Sequence, residues 1–270
     1  MPREPQLVLR SDKRVDMSYA PSYDFDHPHV SDEHRRIGEL VAEIPGLLRP
    51  EDELKLYELA YFAPGPILEI GTYRGRSTTI MARAAQAGAG AALFSVDVDP
   101  AALRAGAAAV CAHGVAGRTV LVRGSAGAML RRFAGLRPSL TFVDGDHSLE
   151  GVRRDLAALE PAVPRGGLVL FHDYHDPRND DPSIAHIGVK QGVEESWVRR
   201  DCEFAGVFGC CGLFRRREGG PPSAGPPTVD AVWRDSPRMQ YLQRVRWPAG
   251  RVARRLLRWT RWRRASRGRA

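Results

Sequence analysis

No stretch of this 270-residue chain approaches the roughly 20 consecutive apolar residues that a membrane-spanning helix needs. The opening segment, MPREPQLVLRSDKR, lacks the apolar run of a secretory signal. Cysteine is scarce as well: four in all, with Cys111 and Cys202 isolated, Cys210 and Cys211 adjacent, and no C-x-x-C pair. That excludes a disulfide-rich secreted scaffold. Reduced, buried thiols in a cytoplasmic protein are the expectation. No internal repeat recurs, which excludes a solenoid or propeller.

What the chain has in excess is arginine, and only at one end. The formal net charge is +8, but residues 230–270 carry 13 Arg against 2 Asp, which leaves the remainder at −3. The basicity therefore describes a tail and not the main body. Apolar residues make up 43% of the chain, enough for a full core. Four zones follow: a mixed N-terminal extension over 1–50, a central domain over 51–217, a Pro/Gly linker over 218–229 and the Arg/Trp-rich tail over 230–270.

The central zone alternates short apolar runs with helical patterns. Strands are expected at PILEI (66–70), ALFSVDV (92–98), TVLVR (119–123), LTFVD (140–144) and GLVLF (167–171). Helices are expected at about 77–87, 100–113, 126–134, 149–159 and 189–200, and two closing strands, CEFAGVF and CGLFRRR, meet at Phe208-Gly209. Near-continuous apolar strands separated by helices imply an α/β fold, a doubly wound Rossmann-like sheet covered on both faces. Ligands bind such sheets at the carboxyl ends of the strands.

Those ends carry the polar residues. Glu69, Gly71, Gly75 and Ser77 follow the first strand in EIGTYRGRST, which is not the G-x-G-x-x-G dinucleotide pattern. A plain tight turn explains the glycines equally well. Asp97 ends the second strand, where an acid can accept from both hydroxyls of a ribose. Helix capping is the alternative, and Asp99 suits it better, which leaves Asp97 free for a ligand. Gly124 and Ser125, after the third strand, are small enough to admit a flat ring. The fourth strand delivers Asp144, Asp146 and His147, and the fifth His172, Asp173, Tyr174, His175 and Asp176. Two carboxylates meeting in a cleft repel unless a cation lies between them. Mg²⁺ answers that need, and His147 stands at the right reach to act as a base. Zinc on His147, His172 and His175 is the rival reading, with capping by Asp146 or Ser148 the plain one.

ILEIGTYRGRST, SVDVDP and FVDGDHSLEGVRRDL…VPRGGLVLFHDY…GVKQGVEE together resemble class I S-adenosylmethionine-dependent methyltransferases, and in particular a subgroup of small-molecule and sugar O-methyltransferases. The resemblance covers about residues 50–217 and implies a mostly parallel sheet with an antiparallel last strand. It implies that Glu69, Gly71 and Gly75 line the methionine part of S-adenosylmethionine, that Asp97 holds the ribose and that Ser125 lies near the adenine. It further implies a divalent metal on Asp144 and Asp173, with His172 as a third ligand, and His147 as general base. The chain departs from the metal-dependent relatives in having His172, where two adjacent carboxylate or amide ligands are usual. The implied reaction is transfer of the cofactor's methyl to a hydroxyl of a small acceptor.

Two competitors stay open. A nucleic-acid methyltransferase would use the basic tail, but the chain has no N/D-P-P-Y/F/W tetrad. A non-catalytic scaffold would keep the fold without needing Asp144 or His147. In the tail, Val252, Leu256, Trp259 and Trp262 share one helical face ringed by arginine, which suits an anionic membrane surface. An acidic partner or nucleic acid would attract the same charges, and a solvated basic extension is the plain reading. The tail makes peripheral membrane contact an expectation. The N-terminal extension, with Tyr19, Tyr23 and Phe25, suits a lid over the substrate or a contact with a second copy of the chain.

Overall fold

The computed structural model describes residues 28–219, apart from 182 and 185. Linker residues 220–229, the tail and the aromatic part of the N-terminal extension lie outside the described residues. Seven strands form one sheet: β1 (Ile67–Ile70), β2 (Leu93–Asp97), β3 (Thr119–Arg123), β4 (Leu140–Val143), β5 (Leu168–Phe171), β6 (Cys202–Phe208) and β7 (Cys211–Arg216). Their order is β3-β2-β1-β4-β5-β7-β6. The first five run parallel, and β7 enters antiparallel beside β5 and pairs in turn with β6. The strand order reverses between β1 and β4, where this architecture opens a crevice for ligands.

The central strands earn their place by composition. β1 and β4 are buried at all four positions, so they must be covered on both faces. One face carries α1 (Pro28–Val41), α2 (Pro50–Tyr61), α3 (Arg76–Ala87) and α4 (Pro100–Ala112). The other carries α5 (Ala126–Arg132), α6 (Leu149–Leu159), α7 (Val189–Glu194) and α8 (Trp197–Asp201), packed over Leu68, Ile70, Val143, Val169 and Phe171. The described part of the N-terminal zone is docked: Ile37, Val41 and Ile44 are buried, and the Arg76 guanidinium donates to the carbonyls of Val41 and Ile44 at 2.8 and 2.7 Å. The Val41 carbonyl also accepts from the Ile44 amide at 2.9 Å, so Arg76 pins the turn that follows α1.

Capping sets several boundaries. Asp99 accepts from Ala101 N at the start of α4, and Ser148 from Gly151 N at the start of α6. The single helix expected over 189–200 is two. The chain breaks before Ser196, whose hydroxyl accepts from Val198 N and starts α8. The break lets the Trp197 indole reach inward and donate to the Leu156 carbonyl at 2.9 Å. Among the described residues no helix is long and apolar enough to cross a membrane.

Candidate active site

The turn after β1 is built around two glycines. Gly71 has φ +97° and Gly75 φ +82°, both left-handed. A Cβ on Gly71 would collide with the Asp144 carbonyl, and one on Gly75 would meet Gly106 Cα at 2.8 Å. Glycine here lets the β1 turn lie directly against the chain leaving β4. The two halves of the crevice are thereby in backbone contact.

The expected residues of the first half are not all free. Asp97 does end β2, but its carboxylate is engaged: Oδ2 accepts from Thr72 N at 2.9 Å and Tyr73 N at 3.1 Å, and Oδ1 from Asp99 N at 2.8 Å. The reason is the turn itself, whose amides need an acceptor once Gly71 bends the chain. Tyr73 sits there with φ +45° and is largely exposed. Glu69 is fully buried and accepts from the Ser77 hydroxyl at 2.5 Å and the Thr78 hydroxyl at 2.6 Å. Burial pushes its pKa up to about 7, against the lowering effect of those donors. It therefore ties β1 to the start of α3. Ser125 caps α5, its hydroxyl accepting from Ala128 N at 3.3 Å.

The second half is a dense ionisable cluster. Asp144 follows β4, and its Oδ1 lies 3.1 Å from His147 Nε2 in a hydrogen bond. His172 Nδ1 stands 2.9 Å from the same oxygen, but off the line a hydrogen bond requires, so the contact is ionic. Burial opposes the Asp144 charge, and the two imidazoles outweigh it, so its pKa falls below the usual carboxylate range. The Asp144 hydrogen bond outweighs burial and raises the His147 pKa above its ordinary value. For His172, burial pulls the pKa down, while Asp144 more than offsets it and drives it up to about 11. Asp173 has φ +57°, so the chain reverses at once after β5. Its Oδ2 lies 3.7 Å from His147 Nδ1 and accepts from Arg178 at 3.0 Å.

Asp146 stays at the turn, accepting from Ser148 N and Arg154. His175 donates its amide to the Cys210 carbonyl and belongs to none of the groups close enough to share a cation among the described residues. Asp144, His147 and His172 are close enough to share a cation, and so are His172, Asp173 and Cys210. The sequence placed no cysteine near this cluster, yet Cys210 arrives from the β6–β7 hairpin, and Asp52 from α2. Asp52 lies in the first turn of α2, where it accepts from the Arg49 amide at 2.8 Å, and only the tertiary fold carries it to the site.

Residues 68–174 match the sequence family described as a methyltransferase domain. Solved structures share the fold. A cofactor-bound protein from MTB is 23% identical over 71% of this chain and 91% of its own, with a TM-score of 0.53. The O-methyltransferase from Bacillus cereus, solved with SAH, is 15% identical over 71% of this chain and 94% of its own, with a TM-score of 0.52. TomG, the O-methyltransferase from Streptomyces achromogenes involved in tomaymycin synthesis, solved with SAM, is 21% identical over 68% and 89%, with a TM-score of 0.50. No curated protein matches the chain. The chain shares its fold with these solved structures, and its residues 68–174 are similar to the methyltransferase-domain family.

Proposed function

We propose that the protein is an S-adenosylmethionine-dependent methyltransferase that methylates a hydroxyl of a small acceptor, with His147 as the general base. The observation that carries this reading is the Asp144–His147 hydrogen bond of 3.1 Å, standing against the Gly71 turn where the cofactor's methyl would be presented. Bound S-adenosylmethionine supplies an electrophilic methyl, so the protein need only align and deprotonate the acceptor. The His147 Nε2–H donates to Asp144, which leaves the Nδ1 lone pair to take the acceptor's proton. The resulting imidazolium is held between Asp144 and Asp173. His147 is about a third exposed, open enough to meet a substrate. Asp97, Gly71 and Gly75 would form the cofactor cradle, with Asp97 acting through the turn it holds as well as on the ribose, and Ser125 bordering the adenine side.

The resemblance also implies Mg²⁺ on Asp144, His172 and Asp173. Magnesium demands a near-octahedral set of oxygens. Here two imidazoles press on the Asp144 carboxylate, and Asp173 is paired with Arg178. This donor set does not fit Mg²⁺, and the proton step is carried by side chains alone.

The test is a methyl-transfer assay over a panel of hydroxylated small molecules, sugars included, run with wild type and His147→Ala. Turnover should vanish in the variant while S-adenosylhomocysteine still binds. In wild type the rate should rise with pH through the raised His147 pKa, because the base must be neutral. A rate that is flat from pH 6 to 9, or a fully active variant, would remove His147 from the mechanism.

A further inference from the structure

The β6–β7 hairpin carries two thiols that methyl transfer leaves unused. Gly209 turns the hairpin at φ +60°, and a Cβ there would collide with the Asp52 carboxylate. Its absence lets Asp52, fully buried on α2, sit against the turn. Asp52 Oδ1 accepts from the Cys210 amide at 3.0 Å, and Oδ2 from the Cys210 thiol at 3.4 Å. The Cys211 sulfur joins them, the three donor atoms lying within 4.8 Å of one another. From the sheet, His172 Nε2 comes to 3.9 Å of Asp52 Oδ2. His172 is only 6% exposed, and neither of its ring nitrogens has a hydrogen-bond partner among the described residues. A buried imidazole nitrogen aimed at a carboxylate and a thiol without bonding to either is costly unless something fills the gap.

We propose that a thiophilic divalent cation of the zinc class binds between α2, β5 and the β6–β7 hairpin, held by Asp52, His172 Nε2, Cys210 and Cys211. Two sulfurs, an imidazole and a carboxylate are donors that zinc takes and magnesium does not. Zinc bonds of about 2.0–2.3 Å in a tetrahedron put the donors roughly 3.3–3.8 Å apart. The Cys210–Asp52 and His172–Asp52 separations of 3.4 and 3.9 Å are close to those edges. The ion displaces the thiol protons of Cys210 and Cys211 and the Nε2 proton that makes His172 an imidazolium, and all three go to solvent. His172 keeps Nδ1 toward Asp144, so its ring bridges the ion and the carboxylate that orients the base. The ion would thus lie on the buried side of His172, opposite the substrate, and would hold α2 and the hairpin to the catalytic wall.

The full chain, stripped with chelator and kept reduced, is titrated with Co²⁺. One equivalent should bind with an intense thiolate-to-cobalt charge-transfer absorption that Zn²⁺ then bleaches. Cys210→Ser and Asp52→Asn should lose that band, and Asp144→Asn, on the other side of the ring, should keep it. Folding of each variant is checked by circular dichroism and S-adenosylhomocysteine binding. X-ray absorption on the wild-type zinc protein gives a readout that needs no variant, and should contain sulfur scattering. A wild type without the thiolate band or zinc-bound sulfur overturns the proposal. So does a band that survives Cys210→Ser, or binding without sulfur that Asp144→Asn abolishes. Methyl transfer is assayed separately, so failure of this site and failure of the O-methyltransferase reading are distinct results.

Discussion

The two halves of the crevice solve different problems with different materials. At the ends of β1–β3 the work is done by backbone: left-handed glycines, amides gathered on Asp97 and a buried Glu69 holding α3. At the ends of β4 and β5 it is done by side-chain charge: Asp144, His147, His172 and Asp173 form a chain of contacts that Arg178 extends from Asp173. Each half holds one of the two described non-glycine residues with positive φ, Tyr73 and Asp173. Strain of this kind persists only where the surroundings over-determine it, and it gathers at functional sites. On the proposed function, the difference teaches that the first half receives a ligand of fixed shape and the second moves a proton.

If that division holds, variants in the two halves should separate binding from turnover. The largest effect is expected for His147→Ala, a fall of about 10²–10⁴-fold in kcat, with S-adenosylhomocysteine affinity unchanged by calorimetry. Loss of affinity in that variant would break the division. Gly71→Ala should blur it, because the new Cβ meets the Asp144 carbonyl that joins the halves. A destabilisation of about 2–4 kcal/mol in urea unfolding is expected, with both binding and turnover impaired. Asp97→Ala frees the Thr72 and Tyr73 amides and should weaken cofactor affinity by about 10–100-fold, as for a lost charged acceptor.

Glu69 sharpens the comparison through pH. Its folded pKa of about 7 lies above its ordinary value of 4.5, so the folded state binds more protons between those values. Stability should therefore fall as pH rises from 4.5 through 7, by at most about 3 kcal/mol, and Glu69→Gln should flatten that slope in urea titrations at several pH values. The smallest effect is expected for Ser125→Ala, about 1 kcal/mol for the lost α5 cap, with affinity lowered only if the hydroxyl also meets the cofactor.

Strand and helix identity was legible because periodicity is a local property. The apolar runs at 67–70 and 140–143 could only be buried strands, and Asp99 and Ser148 announced their helices by position. The 189–200 segment misled because its composition is helical throughout. What splits it is Trp197 seeking the Leu156 carbonyl, a partner 41 residues away. Asp97 looked free because the amides that use it belong to a turn 24 and 25 residues earlier.

The sequence by itself determined the alternation of elements, the residues at each strand end and the adjacency of Asp144 and His147, since these depend on neighbours within one or two turns of chain. Tertiary structure alone decided which side of His172 faces what. β5 sits between β4 and β7, so one ring nitrogen is turned to Asp144 and the other to Asp52, beside the Cys210 of the hairpin. Asp52 and Cys210 are 158 positions apart, and no local pattern records a contact made by closing a sheet against a helix.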